Sequence, residues 1–181
     1  MLGWLGSVAD VGLYGVGYKI GSIVLLVVTA FNLNWQPYYL KDPDVDKKEQ
    51  FERIGTLFIL FLICLCTLIS IGWPLFFSLQ WNATFLIGQD FLAGGKIIPI
   101  IAISYFVYGL FILQMPPIYL QNKQNWVPLF WGVGALINFI INLLLIPHWG
   151  FFGAALSTFF SYLSMLILLI YKNYSWYKLK Y

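Results

Sequence analysis

Four long runs without a charged residue divide the chain, at residues 20–40, 54–89, 97–122 and 124–171. The last run is interrupted at Ile146-Pro147-His148-Trp149-Gly150, which leaves one apolar half on each side. Each half is close to the ~20 apolar residues that a helix needs to cross a ~30 Å hydrocarbon layer. We therefore predict a transmembrane helical hairpin over Val127–Tyr171, with its turn at one membrane face.

Taken together, the runs predict five transmembrane helices in a single membrane domain that covers residues 1–181. Their predicted positions are near residues 11–40, 54–79, 97–121, 125–146 and 150–171. The first is long for one span, so it is predicted either to begin as an interfacial turn or to be tilted or bent. Composition agrees, because a chain that is 61% hydrophobic and 9% charged lacks the charge that solvates a soluble domain. The predicted fold class is an all-α, polytopic membrane helical bundle.

The basic residues indicate how this bundle is oriented. Eight of the ten fall after helix one, between helices three and four, or after helix five. With five spans these regions share one side, and the positive-inside rule places that side and the C-terminus in the cytoplasm. The charged stretch 41–53 lacks the glycine and the spacing of an EF-hand, so it is predicted to be a solvated connection. The N-terminus is then outside, yet Met1–Asp10 has no feature that would help it cross, which predicts a missing preceding segment.

A stripe of small and polar residues runs along the first predicted helix. Counted by threes and fours, it contains Gly12, Gly15, Lys19, Ser22, Thr29, Asn32 and Gln36. In lipid, such residues turn toward other helices or toward a water-filled cavity. Lys19 is the one fixed charge inside a predicted span. It either faces a central cavity, where it attracts an anionic substrate such as a pyrophosphate, or extends to the outer headgroups.

Three amide side chains are further candidates for a substrate cavity. Asn138 and Asn142 lie at i, i+4 spacing and need partners in hydrocarbon, which a sugar or a neighbouring helix can supply. Gln114 precedes Met115-Pro116-Pro117, where two prolines remove backbone donors and predict a kink with freed carbonyls. The edge formed by Gly150, Gly153, Ser157, Ser161 and Ser164 predicts close helix packing rather than a binding site.

The sequence contains no recognisable catalytic or metal-binding set. No carboxylate lies inside a predicted span, which leaves no carboxylate relay for protons or cations. Cys64 and Cys66 have no partner His or Cys nearby and are predicted to be apolar-facing thiols. There is no Ser/His/Asp set and no phosphate-binding glycine loop. We therefore predict a protein that is not an enzyme and that uses no cofactor, metal or nucleic acid.

Two stretches of the chain resemble a known family. They are VGLYGVGYKIGSIVLLVVTAFNLNWQPYYL and LINFIINLLLIPHWGFFGAALST, which are similar to the C-terminal half of bacterial polysaccharide-biosynthesis flippases. These are O-antigen or lipid-linked oligosaccharide translocases of the multidrug/oligosaccharidyl-lipid/polysaccharide exporter superfamily. The resemblance rests on residues along nearly the whole chain, among them Val11-Gly12-Leu13-Tyr14, Tyr18-Lys19-Ile20, Trp35-Gln36-Pro37, Asn138, Asn142, Ile146-Pro147, Gly150 and Gly153-Ala154-Ala155.

The resemblance implies a fold, a function and partners. Members have twelve to fourteen helices in two lobes around a V-shaped cavity, so this chain is expected to be the C-terminal lobe. Its partners would be membrane lipids, undecaprenyl-pyrophosphate-linked oligosaccharide and the missing N-terminal lobe or a separate chain that supplies it. The expected location is the bacterial inner membrane, and the expected activity is glycan flipping. The alternatives are a transport-inactive structural or assembly subunit and a drug/cation antiporter of the same superfamily.

Overall fold

The computed structural model describes residues 1–41, 48–81, 84–85 and 88–178. Within these residues the chain is helical apart from its connections and one small ladder, which confirms the all-α prediction. The helices are α1 (Leu2–Leu5), α2 (Val8–Gly21), α3 (Ile23–Leu40), α4 (Lys48–Ser78), α5 (Ile98–Leu113), α6 (Pro116–Leu120) and α7 (Val127–Lys178). The 3-10 segments Gln89–Ile97 and Gln124–Trp126 precede α5 and α7. The ladder is antiparallel and joins β1 (Gln80–Trp81) to β2 (Thr84–Phe85), with Gln80 opposite Phe85.

Several of these helices are long and apolar enough to cross a membrane. Among the described residues, three stretches meet this condition, namely Glu49–Leu75, Asp90–Leu120 and Gln124–Tyr174. The pair α2 and α3 is a fourth candidate if its two bent parts count as one span. The third stretch covers 51 residues, more than twice the ~20 that one crossing requires. Residues 42–47 of the predicted solvated connection lie outside the described residues.

The first predicted helix is bent rather than straight. Helices α2 and α3 meet at Ser22 with an angle of 44° between them. The hydroxyl of Ser22 donates to the Lys19 carbonyl oxygen at 2.9 Å, a bond back to the preceding turn that is commonly found where helices bend. Of the alternatives open for this long segment, the bent helix is the one observed.

The predicted hairpin is present in α7. Gly150 has φ 51° and ψ −128°, a conformation that interrupts the helix and that L side chains rarely adopt. Residues 127–149 and 151–178 then lie antiparallel, because the Ser161 hydroxyl donates to the Gly134 carbonyl at 2.7 Å and Asn138 bonds Ser157. A Cβ on Gly153 would approach the Leu145 backbone to 2.6 Å. The small-residue edge therefore brings the two arms of the hairpin into close contact, as its spacing predicts.

Helix α5 forms the centre of the bundle. It packs against α2, α3, α4 and α7, and its sequence IPIIAISYFVYGLFIL is apolar on every side, as a surrounded helix requires. Ile98, Ile101 and Ala102 have no exposed surface. From α3, Val28 packs onto α5 at Gly109, where a Cβ would approach Val28 Cγ2 to 3.2 Å.

Contacts between connections define the two ends of the bundle. At one end, α2 meets the Gln89–Ile97 segment, and Gly150 of the hairpin turn lies beside Asp10. At the other, the Asn173 side chain donates to the Gln114 carbonyl at 3.0 Å, and Lys172 Nζ lies 4.1 Å from the centre of the Trp126 ring. The segments that meet at the first end are those that the sequence predicts to lie on the outer side of the membrane. The segments that meet at the second end are predicted to lie on the cytoplasmic side.

Candidate functional site

A polar cleft opens between α2 and the two arms of the α7 hairpin. Its main cavity has a volume of about 470 Å³, within the range of sites that hold small molecules. A smaller cavity of about 280 Å³ continues toward the hairpin turn and shares Tyr14, Asn138 and Thr158 with the first. The main cavity is lined by Tyr14, Tyr18, Trp131, Gly134, Ala135, Asn138, Thr158, Ser161, Tyr162 and Met165.

An amide–hydroxyl network forms one wall of this cleft. The Asn142 amide donates to Asn138 Oδ1 at 2.9 Å, and the Asn138 amide donates to the Ser157 hydroxyl at 3.3 Å. The single Ser157 proton has two acceptors within reach, Asn142 Oδ1 at 2.7 Å and the Ala154 carbonyl at 2.8 Å. Asn142 is buried whereas Asn138 lines both cavities. The network thus supports the packing interpretation of the asparagines, and Asn138 still faces open space.

Tyrosines form the opposite part of the wall. Tyr14 and Tyr18 project from one face of α2, with ring centres 5.3 Å apart, and the Tyr18 hydroxyl is hydrogen-bonded to the Tyr105 hydroxyl. Tyr162 from the second arm lies 5.7 Å from Tyr105 and 5.0 Å from Tyr108, measured between ring centres. Three helices therefore contribute tyrosine rings and hydroxyls to a single cluster.

The chemistry of the cleft is neutral. None of the side chains that line its two cavities carries a formal charge, while amide, hydroxyl and indole groups supply hydrogen-bond donors and acceptors. Trp131, which is 45% exposed, adds an open aromatic face. Aromatic faces next to amides and hydroxyls suit a ligand that presents both C–H surfaces and hydroxyl groups. No side chain that lines the cleft is a cation that could bind a phosphate.

The stripe predicted on the first helix does not pack inside the bundle. Lys19 and Thr29 are exposed, and Ser22, Asn32 and Gln36 are partly exposed. The face of α3 that meets the neighbouring helices is instead formed by Val24, Val28, Trp35 and Tyr39, none of which is more than 4% exposed. Lys19 does not line either cavity of the cleft, and it lies in the last turn of α2, where a cation complements the helix dipole. Whether the stripe faces a larger cavity stays a prediction.

Gln114 occupies the predicted break between α5 and α6. Its side chain is exposed. Its backbone carbonyl is free at the break, because the Ile118 N–H bonds the Met115 carbonyl instead, and it accepts from the amide of Asn173. Asn173 is 7% exposed, and its Oδ1 has no hydrogen-bond partner among the described residues. The freed carbonyl is therefore used to join α5 to the second arm, and it does not line the cleft.

The sequence interpretation missed the tyrosines and Asn173. Tyr14 and Tyr18 follow an i, i+4 pattern on one helix face, which was a usable signal. Tyr105, Tyr108 and Tyr162 join them only through the packing of α5 and the hairpin, and interfacial rings are common enough in membrane proteins to hide such a cluster. Cys66, in contrast, lies where an apolar-facing thiol was predicted, buried with its Sγ 3.5 Å from the Ala102 carbonyl oxygen.

Replacement of Asn142 should destabilise the bundle measurably. Asn142→Ala leaves the Asn138 and Ser157 groups of a buried network without one partner, at an expected cost of about 1–2 kcal/mol in the free energy of unfolding. Titration of the purified protein with SDS measures this change. Ser164→Ala is the matched control, because among the described residues the Ser164 hydroxyl bonds only the Ser161 carbonyl of its own helix. Equal stabilities of the two variants would contradict the network's role.

Comparison with known proteins identifies no relative of this chain. No protein-family model, curated protein or solved structure matches it. The structure itself shows an all-helical bundle with several apolar helices of membrane-spanning length.

Proposed function

We propose that this chain is the C-terminal lobe of a bacterial flippase that moves undecaprenyl-pyrophosphate-linked oligosaccharide across the cytoplasmic membrane. The observation that carries the proposal is the polar stripe on α2 and α3. Thr29, Asn32 and Gln36 form no side-chain hydrogen bond within the part of the chain that the structure describes, whereas Asn34, the other amide of α3, donates to the Ala30 carbonyl. Hydrocarbon cannot satisfy such groups. A water-filled cavity between this lobe and a second lobe satisfies them.

Lys19 gives this cavity the charge that the substrate requires. A lipid-linked pyrophosphate is anionic, and an exposed ammonium at the edge of a low-dielectric region attracts it more strongly than in bulk water. Lys19 is the one ionised residue on the stripe. It follows Tyr18, which lines the cleft, but consecutive side chains of a helix point in different directions, so Lys19 lies on a neighbouring face of α2. A cation on one face of α2 and a hydroxyl-rich, aromatic cleft on another suit a substrate with an anionic head and a saccharide.

The bundle also suits alternating access. The helices that reach membrane length and the two sets of end contacts support insertion with the hairpin turn and the Gln89–Ile97 segment on one side. The charge distribution favours a cytoplasmic C-terminus. Rocking of this lobe against a second lobe then exposes the stripe to each side of the membrane in turn. The partner lobe comes from preceding sequence or from a separate chain.

The absence of acidic residues from the predicted spans favours the flippase over a drug/cation antiporter. Exchange of a proton or a cation generally uses an intramembrane carboxylate, and residues 11–40, 54–79, 97–121, 125–146 and 150–171 contain no Asp or Glu. A purely structural subunit would have no need of an exposed polar stripe in lipid.

Deletion of the gene in its bacterial host tests the proposal. We expect loss of surface polysaccharide, accumulation of undecaprenyl-pyrophosphate-linked oligosaccharide and unchanged susceptibility to cationic drugs. Normal surface polysaccharide in the deletion strain would refute the flippase, and drug hypersensitivity with normal polysaccharide would support the antiporter.

Complementation with variants of the stripe extends this test. Gln36→Leu removes a polar group from the proposed cavity and is expected to lower export by about fivefold, the ratio that corresponds to ~1 kcal/mol for one hydrogen bond. Leu33→Ala is the control, because Leu33 is 72% exposed, lies outside the stripe and is expected to contact lipid. If both variants restore export fully, the stripe does not line the substrate path.

A further inference from the structure

Asp10 lies where two helices begin. In α2 it forms a capping box with Ser7: the Asp10 carboxylate accepts from the Ser7 backbone N–H at 2.9 Å and from the Ser7 hydroxyl at 2.7 Å. The Ser7 hydroxyl accepts in turn from the Asp10 N–H at 3.1 Å. This reciprocal arrangement fixes the chain at the start of α2.

The same carboxylate reaches the hairpin turn. A Cβ on Gly150 would lie 2.8 Å from Asp10 Oδ1, so a larger residue would push the carboxylate aside, and the positive φ of Gly150 favours glycine as well. The Phe151 backbone N–H is the first after the break, and its proximity helps to lower the pKa of the Asp10 carboxyl. An anion at this position complements the dipole of the second arm. One side chain thus caps α2 and places its charge beside the first turn of the second arm of α7.

The segment before Asp10 covers one end of the cleft. Helix α1 packs on α7, and Met1 and Leu2 line the smaller cavity together with Asn142 and Ala154. The outer surface of this segment is apolar, because Trp4 is 93% exposed and Val8 is 88% exposed. Such residues partition into the membrane interface. The segment therefore lies between the interface and the turn-side end of the cleft.

We propose that residues 1–10 are a lid over the turn-side end of the cleft, and that Asp10 is the latch that holds the lid against Gly150 and Phe151. Release of the latch lets the segment move away from the turn and opens the smaller cavity. The hydrogen bonds from the Ser7 N–H and hydroxyl lower the pKa of the Asp10 carboxyl, so the latch is ionised at neutral pH. Control of substrate release by the lid rests on the proposed function, whereas the latch itself rests on geometry alone.

Thiol labelling of the purified chain in detergent tests the latch without any transport assay. The background carries Cys64→Ala, and Ala154→Cys introduces a thiol beneath the lid, where Ala154 is 7% exposed. Native Cys66, 8% exposed in the core, reports global unfolding in the same sample. Each site is followed with a charged maleimide and peptide mass spectrometry.

Asp10→Ala is expected to raise the labelling rate at position 154 by about tenfold, which corresponds to ~1.4 kcal/mol of latch energy. The rate at Cys66 should not change. Asp10→Asn keeps one acceptor oxygen without the charge, so its rate should fall between the parent and Asp10→Ala. An unchanged rate at position 154, or a parallel rise at Cys66, would overturn the latch. A variant that loses glycan export while its labelling rate at position 154 stays at the parent value would bear on the proposed function and not on the latch.

Discussion

Gly17→Ala should prevent α2 from packing on the 3-10 segment Gln89–Ile97. A Cβ at Gly17 would overlap the carbonyl oxygen of Gly94, and a Cβ at Gly94 would overlap the carbonyl oxygen of Leu13. The two backbones are therefore in direct contact, and neither has a flexible side chain that can move aside. We expect a loss of about 3 kcal/mol in the free energy of unfolding, at the upper end of overpacking effects.

Gly15→Ala provides the matched control in the same helix. A Cβ at Gly15 meets nothing within 4 Å. In a helix with free space, alanine is favoured over glycine by about 0.5–1 kcal/mol, so Gly15→Ala should stabilise the protein slightly. SDS titration of both purified variants measures the two changes in the free energy of unfolding, which we expect to have opposite signs. If the two alanines change the free energy of unfolding equally, the Gly17–Gly94 contact does not determine the effect.

The hairpin could be predicted because its signals are local. Two apolar halves of spanning length surround Pro147 and Gly150, and the break falls at the glycine whose positive φ no other residue adopts easily. The small-residue edge likewise brings Gly153 and Ser161 into contact with the first arm. The length of the apolar halves, the helix-breaking residues between them and the spacing of the small residues each depend on residues close together in the chain.

The packing face of the first helix could not be predicted in this way. A polar stripe in lipid must face something other than hydrocarbon, and this rule does not distinguish a neighbouring helix from a cavity. In the structure Val24 and Val28 pack on α5, whereas Lys19 and Thr29 remain exposed. The interior of a bundle is filled by apolar side chains of complementary shape. Which face of α3 packs inward therefore depends on the surface of α5, the helix it packs against.

The tyrosine cluster and the Asp10 latch depend on tertiary structure entirely. Tyr18 meets Tyr105 across 87 positions of sequence, and Asp10 meets Gly150 across a still longer separation. The periodicity of the sequence along one helix does not reveal contacts between residues so far apart. The Ser7–Asp10 capping box joins residues only three positions apart, but the second role of Asp10 appears only when the hairpin turn lies beside it.

Lys19→Ala is expected to lower glycan export at least about tenfold, a ratio that corresponds to ~1.4 kcal/mol of lost substrate stabilisation. The reason is electrostatic: the variant removes the one ionised group of the polar stripe, and no side chain that lines the cleft is a cation that could replace it. Surface polysaccharide in a complemented deletion strain, divided by the amount of protein in the membrane, measures the effect. Lys19→Arg keeps the charge and should retain most of the export.

Normalisation by membrane protein separates the two interpretations of Lys19. If the ammonium only extends to the headgroups, Lys19→Ala lowers the amount of inserted protein and leaves export per molecule unchanged. If it binds the pyrophosphate, the amount stays constant and export per molecule falls. Lys96→Ala is the matched control, because Lys96 is an exposed lysine in the 3-10 segment Gln89–Ile97 at the turn-side end and lines neither cavity of the cleft. Equal export per molecule in Lys19→Ala and Lys96→Ala would remove Lys19 from the substrate path.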